Sequence, residues 1–226
     1  MLWAVVFLST FYYFCEWQMS NILRIFTITM DQELELLSTE LSSKGYKTTA
    51  IQMDALETFL SMFLTSPLII LTIASYLFFN YPESIKGASN YQGWEMIAFI
   101  IPLAIVHELT HGICFAISAK DGFKNVSFGF SKKIFCPYCH YNTAINARGY
   151  IIAALMPGII WGIVPAALSV IYCNPHLLSF SILGIGGASC DVYCVLTLLK
   201  LSNHNTDSLV YDYRNSVGFA LFYKDK

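Results

Sequence analysis

Charge is what this sequence has least of. Asp, Glu, Lys and Arg make up 12% of its 226 residues, about half the share of an ordinary soluble domain. That excludes a water-facing surface over most of the chain. The net charge is −2, with no basic stripe interleaved with aromatics and no glycine-rich phosphate loop. No nucleic-acid partner is therefore expected. The seven cysteines, Cys15, Cys114, Cys136, Cys139, Cys173, Cys190 and Cys194, are odd in number, and four sit in apolar segments. They do not form a disulfide framework, and most read as small hydrophobes packed between helices. Leu2 to Cys15 is apolar but lacks a basic n-region and a small-residue cleavage site, so it does not read as a cleaved signal peptide.

What is abundant is apolar surface, with 56% of residues hydrophobic. Crossing the hydrocarbon core takes about 20 apolar residues, and four segments reach that length: residues 59–79, 96–119, 150–173 and 177–199. Pro67, Pro102, Pro157 and Pro165 fall inside them, which membrane helices tolerate. The expected fold is an all-α polytopic membrane protein with about four transmembrane helices and a small cytoplasmic β-hairpin loop. Residues 1–30 read as a membrane-embedded or interfacial segment, or as a fifth span. Residues 31–45 read as a short amphipathic helix, with Leu34, Leu37 and Leu41 at helical spacing and Gly45 as its stop. The chain divides into an N-terminal segment (1–58), a transmembrane core (59–200) and a tail (201–226).

Twelve of the thirteen Lys and Arg residues fall in the N-terminal region, the loop between spans two and three, and the tail. The bias of basic residues toward the cytoplasm places all three inside, with the chain in the cell membrane. In the central loop, residues 125–130 and 134–141 read as two strands turned by Ser131, Lys132 and Lys133. Such a hairpin can hold an extended peptide by strand addition.

Four ionisable side chains interrupt the apolar spans: His107, Glu108, His111 and Asp191. Ionisable groups at membrane depth are costly and mark functional sites. His107-Glu108-Leu109-Thr110-His111 places two imidazoles four residues apart on one helix face, with a carboxylate beside them. That spacing suits Zn2+ held by two histidines, with Glu108 as general base toward a water. A catalytic zinc takes a third protein ligand. The extended motif that would place it downstream is absent, since Cys114 and Ile117 occupy those positions. Asp191 is the ionisable residue of span four. It lies nine residues before Lys200, just as His111 lies nine before Lys120. Both side chains should therefore sit in one layer, about 13 Å from the cytoplasmic interface. Gly184, Gly186, Gly187 and Ala188 just before it would let span four approach span two closely.

The segments His107-Glu108-Leu109-Thr110-His111-Gly112, Tyr138-Cys139-His140, Met156-Pro157-Gly158 and Ser189-Cys190-Asp191 resemble the putative zincin peptidase family of bacterial membrane proteins. The tail, with Tyr211-Asp212 and Val217-Gly218-Phe219, is also similar. That family is in turn similar to site-2 intramembrane zinc metalloproteases. The resemblance implies zinc ligation by His107, His111 and Asp191 and catalysis by Glu108. Where site-2 proteases have Asp-Gly at the third ligand, this chain has Asp191-Val192.

The expected activity is hydrolysis of peptide bonds in membrane or membrane-proximal substrates. The alternative is a zinc-binding membrane protein without protease activity, in a regulatory or interaction role. Cys136-Pro137-Tyr138-Cys139-His140 also has the spacing of a haem-attachment or thiol redox motif. Haem attachment conflicts with a cytoplasmic loop, and no redox fold surrounds it. A structural, substrate-contact or accessory metal role remains open for Cys139 and His140.

Overall fold

A computed structural model describes residues 32–53, 55–81, 94–119, 121–131, 136–202, 208–213 and 217–224. The N-terminal segment expected to meet the membrane, Lys120, the Lys132-Lys133 turn, His204 and Asp207 lie outside the described residues.

The amphipathic helix is present as α1, Gln32–Ser43. Its stop is a Schellman turn: the Tyr46 N–H returns to the Leu41 carbonyl, and Gly45 takes the left-handed conformation at φ +82°. Strand β1, Lys47–Gln52, follows. The first apolar run is then built from α2 (Ala55–Ser61), a 3₁₀ turn at Met62–Leu64 and α3 (Ser66–Phe79). The second is one 25-residue helix, α4, Trp94–Ser118. The third joins α5 (Ala147–Pro157), a π-helical segment (Gly158–Ile163) and α6 (Val164–Tyr172). Asn146 caps α5 by accepting from the Gly149 N–H at 2.6 Å. Pro157, at the junction, has no N–H to give the ladder, and the wider π turn begins at the next residue.

Three runs are long and apolar enough to cross a membrane: Leu56–Phe79, Met96–Ser118 and Ala147–Tyr172. The fourth expected run is two helices, α7 (Pro175–Gly187) and α8 (Ser189–Ser202), bent by 41°, and makes a fourth span only if the pair is counted as one. Between 17 and 28% of each continuous window is buried by the chain itself, so most of its apolar surface faces outward. Side chains such as Phe78, Ile101, Ile117 and Ile171 are exposed.

The expected hairpin is β2 (Val126–Ser131) paired with β3 (Cys136–Tyr141). An all-helical reading with this one hairpin needs correction, however. A second antiparallel sheet has the order β1-β6-β5-β4, with β4 at Ile145–Asn146, β5 at Leu209–Asp212 and β6 at Gly218–Tyr223. From sequence no strands are expected in the cytoplasmic tail, because each alone is only four to six residues long. Their apolar faces are satisfied only by partners from distant parts of the chain. Val210, Phe219, Ala220, Leu221 and Phe222 are all buried. On one side Leu34 and Leu41 of α1 pack against Tyr211, Ala220 and Phe222. On the other, Val210, Phe219 and Leu221 join the core formed with Phe115, Tyr150 and Leu198 of the helices.

Gly218, opposite Gln52 at the end of the β1–β6 pair, has no room for a side chain. Its φ is +139°, and a Cβ there would overlap the Ile51 carbonyl oxygen. Gly218→Val combines backbone strain with overpacking, so a loss of roughly 2–4 kcal/mol is expected, read as a lowered unfolding midpoint in detergent. An unchanged midpoint would show that this end of the pair is loose.

Candidate metal centre

Helix α4 carries His107 and His111 on adjacent turns, and α8 brings Asp191 in its first turn. The His107 Nε2 lies 3.1 Å from the His111 Nε2 and 3.1 Å from the Asp191 Oδ2. The third side of the triangle, from His111 Nε2 to Asp191 Oδ2, is 3.5 Å. Ligands about 2.0–2.2 Å from one tetrahedral zinc stand roughly 3.3–3.5 Å apart. The donor set therefore fits that ion in chemistry, and a small outward shift of the His107 nitrogen from its two 3.1 Å neighbours brings the spacing to that of the ion. His107, Glu108 and His111 likewise offer ligand atoms within 4.8 Å of one another. All four residues singled out in the sequence are thus brought together.

The neighbours explain how the imidazoles are held. The His111 Nδ1 lies 2.9 Å from the Ala153 carbonyl of α5. A ring N–H donating there leaves Nε2 free as a ligand. The ring also stacks on Phe115, at 6.2 Å and 22° between planes. Thr110 sits between the histidines in sequence. Its hydroxyl donates to the Val106 carbonyl at 2.7 Å and accepts from the Trp161 Nε1–H at 2.8 Å. Trp161 belongs to the π-helical segment, so the irregular turn of the third run is fastened to the motif helix. The small residues before Asp191 work differently from expectation. Gly184 presses on Trp161 and Gly162 of the third run rather than on the second, while Gly186 and Gly187 meet nothing at Cβ distance.

Asp191 is placed by the break between α7 and α8. Just before it, the Ser189 and Thr65 hydroxyls are 2.9 Å apart, and the Cys190 thiol lies 3.4 Å from the Ser61 hydroxyl. These polar contacts pin the start of α8 to the interrupted part of the first run.

Glu108 faces the hairpin. Its Oε2 accepts the Cys139 N–H at 2.7 Å. Because that N–H points away from β2, the Phe128–Cys139 pair is a non-hydrogen-bonded one, and Phe130–Pro137, two residues on, is another. Pro137 therefore costs the ladder no donor. The outer edge of β3 runs past the carboxylate. Gly112, directly after His111, makes room for this: a Cβ there would strike the ring of Phe128. Of the Cys139-His140 pair, then, a backbone group reaches the site. The His140 ring is fully buried and meets Tyr211 edge-on at 5.3 Å. Among the described residues neither joins a metal-ligating cluster. Burial pushes the Cys139 thiol above its ordinary range, with Glu108 and Asp212 adding to the effect.

Sequence reasoning left Asp212 without chemistry. The structure sets its carboxylate 3.3 Å from the hydroxyl of Tyr150, on α5 one turn before Ala153. Burial pushes the Asp212 carboxyl up to about 8, opposed by His111 and Tyr150 and reinforced by Asp191 and Glu108. The signal in the sequence was an acidic residue flanked by two tyrosines in an apolar tail.

A mostly helical chain with three or four candidate membrane spans, carrying two histidines and a glutamate on its long central helix, is the class that fold and site define. Residues 100–205 match the family model described as putative zincin peptidase, a description that points to a metallopeptidase. The match holds His107, Glu108, His111 and Asp191 and ends before Asp212. No curated protein and no solved structure matches the chain.

Proposed function

We propose that this chain is a membrane-embedded zinc metallopeptidase that cleaves membrane or membrane-proximal proteins. His107, His111 and Asp191 are its metal ligands and Glu108 is its general base. The observation that carries this reading is the triangle of two imidazole nitrogens and one carboxylate oxygen, 3.1, 3.1 and 3.5 Å on its sides, with Glu108 next to it. Zinc held there supplies a Lewis acid and lowers the pKa of a bound water toward 7. Glu108 takes a proton from the attacking water as the new C–O bond forms. It returns that proton to the amine nitrogen as the C–N bond breaks. A substrate segment added along the outer edge of β3 beside that carboxylate, displacing the Cys139 N–H from Glu108, would be held extended, which suits a reaction that helical peptide bonds resist.

The large second sheet supports the membrane reading. Strand β1 precedes the first run, β4 lies between the second and third, and β5 and β6 follow α8. All are hydrogen-bonded in one sheet and so belong on one side of a bilayer. That requires an even number of crossings between them, which is met when α7 and α8 together make one span. With the basic-residue bias, that side is the cytoplasm of a multi-pass cell-membrane protein.

One observation favours a second reading, a zinc-binding protein without protease activity. The Cys139 N–H occupies an oxygen of Glu108, which keeps the base in contact with the chain itself. Purified protein is expected to hold close to one zinc per chain and to cleave a co-expressed single-span membrane protein. Zinc without cleavage would favour the second reading, and absence of zinc would overturn both.

A further inference from the structure

The four groups of the candidate centre sit on α4 and α8, yet the rings behind them lead out of the helices altogether. Phe115 stacks on His111, Tyr150 follows Phe115 at 6.3 Å, and Phe219 of β6 follows Tyr150 at 5.7 Å. A column of four rings thus joins a histidine of the site to the large sheet. Tyr150 is its third member, between Phe115 and Phe219, and is buried. Its hydroxyl is the polar atom that the column offers on the side away from His111. It meets the Asp212 Oδ1 of β5 at 3.3 Å and lies beside the Cys194 thiol, one turn after Asp191 on α8. One phenol therefore touches the strand β5, the helix that carries Asp191 and, through its own helix, the carbonyl that orients His111.

We propose that Asp212 and Tyr150 are positioning residues for the metal centre: the tail strand holds the Tyr150 hydroxyl, and Tyr150 holds the His111 and Asp191 helices in register. This rests on the metal-site reading above and extends the site beyond residues 100–205. At 3.3 Å the bond is long for a hydroxyl and a carboxylate. Its role is orientation, since a buried phenol that loses its acceptor must rotate or take in water, and either displaces the rings around it. A half-buried carboxylate without its donor is costly in the same way.

The test is zinc affinity of the full-length protein in detergent, by competition with a chelator, together with the visible absorption spectrum of the Co2+-loaded protein, which reports ligand geometry. Asp212→Leu and Tyr150→Phe are each expected to weaken zinc about 10–100-fold, the range for groups behind metal ligands, and to alter the Co2+ spectrum. Asp212→Asn keeps an oxygen acceptor and should restore both to near wild type. Tyr150→Phe with Asp212→Leu should be no worse than either alone, because both break one contact. Thermal unfolding separates these effects from misfolding, and Tyr150→Phe is conservative enough to fold if Asp212→Leu does not. Wild-type affinity and spectrum in Tyr150→Phe would overturn the proposal. So would an Asp212→Asn variant as weak as Asp212→Leu, since charge and not the hydroxyl contact would then matter. A wild-type protein that binds no zinc would instead sink the metal-site reading itself. Loss of zinc in Asp191→Ala but not in Tyr150→Phe would sink this inference alone.

Discussion

Glu108→Gln is expected to lower cleavage of a co-expressed membrane substrate by roughly 10²–10⁴-fold, the contribution of a positioned general base, with zinc content unchanged. Gln has the same shape and keeps a side-chain oxygen for the Cys139 N–H that Glu108 accepts at 2.7 Å. The hairpin should therefore stay seated on α4. What an amide loses is the capacity to take a proton from water and pass it to the leaving amine. His107, His111 and Asp191 are untouched, so their mutual distances of 3.1–3.5 Å are preserved. Product formation is measured by gel analysis of the substrate, with zinc per chain determined on the same preparation. Cleavage at the wild-type rate would remove Glu108 from the mechanism. Loss of zinc along with cleavage would mean that Glu108 holds metal.

Asp191→Ala should strip the centre of zinc. It removes one of three converging donors and leaves two neutral imidazoles on one helix. The effect should exceed the roughly 10–100-fold cost of altering a group behind a ligand, so that dialysis against a chelator leaves little metal on the variant and most of it on the wild type. The fold should tolerate the change. The start of α8 is fastened independently by Ser189 to Thr65 and by Cys190 to Ser61. The shortened side chain also relieves the burial of a carboxylate. Full retention of zinc in a folded Asp191→Ala protein would remove Asp191 from the site.

Both variants were nameable from the sequence, and the reason is physical. In an apolar span an ionisable group has few explanations, so His107, Glu108, His111 and Asp191 stand out individually. The four-residue spacing of the histidines defines a shared helix face without reference to any other element. Matched distances to Lys120 and Lys200 carry the pairing of His111 with Asp191, because helix rise converts residue number directly into depth. Local rules likewise account for α1 with its Gly45 stop and for the β2–β3 hairpin. The same rules were silent about which glycine makes a close contact. Gly184 and Gly186 are alike in sequence, and only the presence of Trp161 against the first of them separates their roles.

The amino-acid sequence alone determined the apolar runs, the metal-suited motif and the lone acidic residue of the fourth run, because each depends on composition or on the periodicity of a single helix. Tertiary structure alone decided the rest. Strands too short to be stable singly meet across the whole chain: β1 pairs with β6, and β5 joins β6 to β4. That pairing makes the expected cytoplasmic tail the wall behind the site. It carries Asp212 to Tyr150, 62 positions away in the chain, and through the rings of Tyr150 and Phe115 it reaches His111, a linkage that no local pattern encodes.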